Sequence, residues 1–144
     1  MTVLSEDEPQ PAQRRTLRFR WIPGAFAVSR LAPQASIPDW ALRGPFVSIT
    51  RAADELSIVC LTENVPNDVK AERNWCCFQL EGPFPFMEVG ILNSFIGPLA
   101  QGGIPIFVVS SFDTDYVLLK EEVVGAALSV LSQAGHELVS EGNP

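Results

Sequence analysis

Histidine is nearly missing from this 144-residue chain; His136 is the only one. Cysteine is scarce too, at three, and no two are spaced as a C-x-x-C pair. These shortages leave too few ligands for a structural zinc site, so no metal is expected. Cys76 and Cys77 are adjacent, and neighbours on a strand point to opposite faces, which argues against a disulfide framework. Reduced core thiols in a cytoplasmic protein are the expectation. No apolar run approaches the ~18 residues of a membrane-spanning helix, and the opening "SEDEPQPAQRR" predicts no secretory leader. Positive charge is short as well. Ten Lys and Arg against seventeen Asp and Glu give a net charge of −7, which disfavours nucleic acid as a partner. The one basic cluster, Arg14, Arg15, Arg18 and Arg20, follows Glu6, Asp7 and Glu8 and reads as a solvated arm and first strand. No G-x-S-x-G, P-loop or dinucleotide glycine fingerprint occurs, so neither catalysis nor a cofactor is expected.

What the chain does have is ordinary globular composition, 47% hydrophobic and 19% charged. Residues 1–13 read as a flexible tail. "RFRWIPGAFAVSRL" predicts two extended pieces broken at Pro23-Gly24, and "IPDWAL" a helical turn or two. "FVSITR" and "LSIVCL" predict strands around a turn at "AADE", and "WCCFQLEG" another strand. "MEVGILNSFIGPLAQGG" places Val89, Leu92, Ile96 and Leu99 on one helix face, with Gly102-Gly103 as its stop. "IPIFVVSS" and "YVLLK" follow as strands, "EEVVGAALSVLSQAG" as a helix and "HELVS" as a closing strand, with His136 expected at the surface.

Strand–helix–strand–strand–helix–strand is the ferredoxin-like order. The chain also echoes itself: shifted by 60 positions, Phe46–Thr50 falls on Ile106–Ser110 and Ala53-Asp54-Glu55 on Asp113-Thr114-Asp115. An α+β fold of two tandem units follows. The first unit, residues 14–73, is abbreviated; the second is 74–140; and their sheets pair side by side so that half-units this small can bury a core.

Amino-acid recognition sets two demands. The carboxylate wants backbone N–H groups, most cheaply at a helix N-terminus, and the ammonium wants a carboxylate or carbonyls. The helix start at "MEVG" and the strand ends at "GIPI" and "SSFDTD" carry such groups, and Gly90 allows close approach to the backbone. Asp113-Thr114-Asp115 is equally good turn chemistry, and Glu88 suits a helix N-terminus as well as a ligand. Both readings stay open at this point.

"FAVSRLAP…IPDWAL", "FVSITRAADELSIVC" and "GPLAQGGIPIFVVSSFDTDYVLLKEE" resemble the tandem ACT-domain proteins over roughly residues 16–139. That family includes the regulatory tails of aspartate kinases and the CASTOR-type cytosolic arginine sensors. The resemblance implies a ferredoxin-like fold and non-catalytic binding of a free amino acid where ACT units meet. Carried over residue by residue, it places ligand contacts on Glu88, Val89 and Gly90, on Pro105 and Ile106, and on Ser111, Phe112 and Asp115. Pro105 departs from the pattern by lacking an N–H. Two ACT units in place of the sensors' four imply that a homodimer completes the site, with a regulated protein as a further partner. The alternative reading is an ACT-fold interaction module without a ligand pocket.

Overall fold

The computed structural model describes residues 15–84 and 89–140. The expected tail over 1–13 and the candidate Glu88 lie outside the described residues. Among the described residues, seven strands form one sheet: β1 Arg18–Leu31, β2 Ser48–Arg51, β3 Leu56–Leu61, β4 Ala71–Leu80, β5 Phe107–Ser110, β6 Asp115–Lys120 and β7 Glu137–Ser140. Two helices, α1 Ile91–Gln101 and α2 Val124–Gln133, join three short 3-10 turns at Asp39–Leu42, Thr62–Asn64 and Glu121–Val123. The strand order is β2-β3-β1-β4-β6-β5, antiparallel throughout, with β7 added parallel to the start of β1. This is a mixed α+β, ferredoxin-like arrangement.

The expected break at Pro23-Gly24 is a bulge within one long strand. Pro23 has no N–H to give a ladder, and Gly24 sits at φ +107 with Leu61 Cδ2 only 2.6 Å from where a Cβ would lie. The register therefore shifts between Ile22 and Phe26 while β1 continues. On one edge β1 pairs with β4 along most of its length; on the other it meets β7 early and β3 late. The expected unit boundary near 71–74 falls inside β4, where Asn74 has φ +67.

One sheet face carries α1 and α2, packed on Phe19, Phe78, Leu80, Val117 and Leu119. Farther along that face, Ala27, Leu56, Ile58 and Cys60 are covered by the 3-10 turns and their loops. The opposite face gathers Phe26, Val59, Trp75, Cys77 and Leu118 into a second core. There Phe46, just before β2, stacks on Tyr116 of β6 with centroids 4.3 Å apart. The sheet is coiled enough to bring its two ends near each other.

The two tight hairpins, β2–β3 and β5–β6, are built alike. Their last pairs, Arg51 with Leu56 and Ser110 with Asp115, correspond at a shift of 59 positions, not 60. The side-chain period on a strand is two, so a one-residue error swaps the faces. Ile58 therefore corresponds to Val117 under the helices. In the turns, Asp54 corresponds to Asp113 and Glu55 to Thr114, so the acid shared by the two hairpins is the first aspartate.

His136 is buried, contrary to its surface expectation. Its Nδ1 accepts from the Leu17 N–H (3.0 Å), which leaves the proton on Nε2 to donate to the Ser94 carbonyl (2.8 Å). Pro98 explains the second bond. It lacks the N–H that would serve Ser94 four residues earlier, and His136 supplies the missing donor. His136→Ala strands both partners, so denaturant unfolding should show a loss of about 1–3 kcal/mol. An unchanged midpoint would mean that neither bond matters.

Candidate functional site

Gly90 precedes α1 at φ +89, a left-handed conformation, and as N-cap it offers no side-chain oxygen to the helix. The first N–H groups of α1, on Ile91, Leu92 and Asn93, therefore have no intrahelical acceptor. These residues line a cavity of about 780 Å³, together with Phe84, Ile96 and residues 110–115 of the β5–β6 hairpin. The positive end of α1 thus borders the same cavity as two acidic residues of the hairpin, Asp113 and Asp115.

The hairpin is held from several sides. Ser111 donates to the Thr114 carbonyl through both its N–H (2.8 Å) and its hydroxyl (2.9 Å). The buried Thr114 hydroxyl donates to the Leu80 carbonyl at the end of β4 (2.7 Å). The Phe84 N–H donates to the Asp113 carbonyl (3.0 Å), and the Ser110 hydroxyl to Asp115 Oδ1 (2.5 Å). "SSFDTD" is therefore a turn and also a cavity wall. Its backbone makes the turn, and its residues line the cavity. A group carrying both charges, carboxylate toward α1 and cation toward the aspartates, matches this polarity.

Four of the candidates named from the sequence come together here: Gly90, Ser111, Phe112 and Asp115. Val89 stands beside them, 84% exposed and outside the lining. Pro105 and Ile106 lie at the far end of β5, where Ile106 packs under the helices. Sequence reasoning passed over Leu92 and Asn93, although any helix start exposes such N–H groups. Phe84 carried no sequence signal. The first hairpin is tied by arginines instead. Arg51, at the place of Ser110, donates to the Pro33 and Ala35 carbonyls, and Arg30 donates to the Asp54 carbonyl (2.9 Å).

The thiols play no part in the cavity. Burial pushes the Cys76 thiol up to about 11, helped by the negative charge of Glu121, and burial also raises Cys77 and Cys60. Thiolate is the reactive form, so the native protein should resist alkylation at pH 8 and expose its thiols only on unfolding. Rapid native labelling of Cys77, measured by mass spectrometry, would contradict this. Among the described residues, no group of three or more His, Cys, Asp or Glu could hold a metal ion, and no helix is long and apolar enough to cross a membrane. Arg18 and Arg20, at the start of β1, face an acid: Glu81 lies 3.3 Å from Arg18 and 3.2 Å from Arg20.

Comparison with known proteins adds the following. A model of the ACT domain matches residues 70–133, and a second model, described as an N-terminal domain, matches 24–68. A solved Agrobacterium tumefaciens protein is 43% identical, with a TM-score of 0.84 over 90% of this chain and 96% of that one. Clostridium acetobutylicum aspartate kinase shares the fold, at TM-score 0.62 and 13% identity over 90% of this chain and 37% of its own. The human protein "Cytosolic arginine sensor for mTORC1 subunit 1" is 33% identical over 67 residues, 46% of this chain. That match spans 20% of the human protein's length.

Proposed function

The chain belongs to the ACT-domain proteins, and from that premise we propose that it is a non-catalytic regulatory module that binds a free amino acid. The carrying observation is the cavity itself, which the uncapped start of α1 shares with Asp113 and Asp115. The ligand carboxylate takes the N–H groups of Ile91–Asn93, and Asp115 takes the ammonium. Ser111 and Phe112 shape the wall, and Gly90 leaves the backbone open to the ligand. One ammonium needs one acid, so the second aspartate suits a cationic side chain. Arginine therefore heads the candidates, consistent with the name of the human relative.

The chain is further read as two ferredoxin-like units sharing one sheet, with 3-10 turns in place of the first unit's helices. The amino-acid site is assigned to the cavity of the second unit, while Arg51 of the first ties its hairpin to Pro33 and Ala35. Val89 and Phe112 stand 84% and 82% exposed. A second copy covering them would exclude water from the cavity and complete the site as a two-fold dimer. Sedimentation at tens of micromolar with arginine present tests that arrangement.

A thermal-shift screen of the twenty amino acids tests the binding itself. A ligand at about 100 times its dissociation constant stabilises by roughly 2.7 kcal/mol, so at least one should raise the melting temperature. No shift at millimolar concentrations would exclude the reading.

A further inference from the structure

The two edge strands of the sheet, β2 and β5, face each other across a second cleft of about 350 Å³. Each is four residues long. In each hairpin the turn fixes which residues bond inward. Ala52 donates to the Glu55 carbonyl (2.9 Å) and Ser111 to Thr114 (2.8 Å), so these are hydrogen-bonded pairs. Antiparallel pairs alternate between bonded and non-bonded. Ser48 and Thr50 on β2, and Phe107 and Val109 on β5, therefore bond inward. Ile49, Val108 and Ser110 turn their N–H and C=O groups outward, and all three residues line the cleft.

The lining holds no charged side chain; its polar groups besides the backbone are the hydroxyls of Ser48, Thr50, Ser57 and Ser110. An amino-acid zwitterion or a phosphate would find no counter-charge there. What the cleft offers, among the described residues, is unpaired strand edge on both walls, which is the recognition chemistry of an extended peptide backbone. We propose that this cleft receives a short, uncharged, extended peptide segment from a partner protein, which adds as a strand between β2 and β5. Five successive antiparallel pairings make β2 and β5 antiparallel to each other. The added strand therefore runs parallel to one wall and antiparallel to the other. The proposal is independent of the amino-acid cavity, although Ser110 borders both spaces.

The test uses the full chain, labelled with nitrogen-15, and a capped five-residue peptide of alternating threonine and valine. Amide exchange at Ile49, Val108 and Ser110 should slow by about tenfold or more at saturating peptide. A peptide N-methylated at alternate amides should produce no protection. Thr50→Lys, at an exposed position, puts a charge into the neutral cleft and should weaken binding by about tenfold or more. Val108→Pro is the second variant; it deletes an outward N–H that the ladder does not use and should have the same effect. Absence of protection at millimolar peptide overturns the proposal. Equal binding of the N-methylated peptide, or the same protection from glucose alone, also overturns it, the latter assigning the cleft to small polyols.

Discussion

Asp115→Asn should abolish the stabilisation that an amino-acid ligand confers while leaving the ligand-free melting temperature nearly unchanged. Asparagine keeps an oxygen for the Ser110 hydroxyl, which lies 2.5 Å from Asp115 Oδ1, so the hairpin survives. What disappears is the charge that faces the ligand cation. Truncating one partner of a buried, hydrogen-bonded charge pair costs about 2–5 kcal/mol in affinity. Asp113 borders the same cavity and cannot serve as an inert comparison, so its asparagine variant should weaken binding too. Asp54→Asn is the better control. Asp54 holds the corresponding place in the first hairpin, is exposed, and meets Arg30 through its backbone carbonyl only. Wild-type binding by Asp115→Asn would move the ligand elsewhere.

Phe95→Ala should be the most damaging single change to stability. Phe95 is fully buried on α1. Its ring lies 5.1 Å from Phe19 on β1 and 5.2 Å from His136, so it ties the helix to the sheet beside the His136–Ser94 link. Emptying such a site costs the transfer energy and leaves a cavity, together about 3–5 kcal/mol. Phe112, a phenylalanine in the cavity lining, is 82% exposed. Its alanine variant should stay within about 0.5 kcal/mol of wild type without ligand. Denaturant midpoints that fail to separate the two would contradict the packing described.

Why some of this was legible in the sequence, and some not, is visible in α1 and the hairpins. Glycines and turn residues marked the ends of elements well: Gly103 (φ +74) and Gly135 (φ +93) follow the two helices as expected. The buried stripe of α1 was harder. The residues it buries are Ile91, Phe95 and Leu99, so of the expected face of Val89, Leu92, Ile96 and Leu99 only Leu99 is fully buried. The segment is apolar nearly all round, so periodicity could not select a face, and Val89 precedes the helix. Leu92 and Ile96 are only partly buried beside that core and line the cavity. The internal echo slipped by one residue for a related cause. β3 and β6 bury side chains on both faces, which erases the alternation that would have fixed the register. His136 misled because its partners, the Leu17 N–H and the Ser94 carbonyl, are backbone groups far away in sequence.

The most direct test is amide-resolved nuclear magnetic resonance of the full chain during titration with arginine. The account predicts saturable shifts concentrated at the amides of Ile91, Leu92 and Asn93 and across Ser110–Asp115, with one ligand per chain. The first hairpin, Arg51–Leu56, should stay unperturbed. Shifts confined to Arg51–Leu56, or no shifts with any of the twenty amino acids at millimolar concentrations, would contradict it.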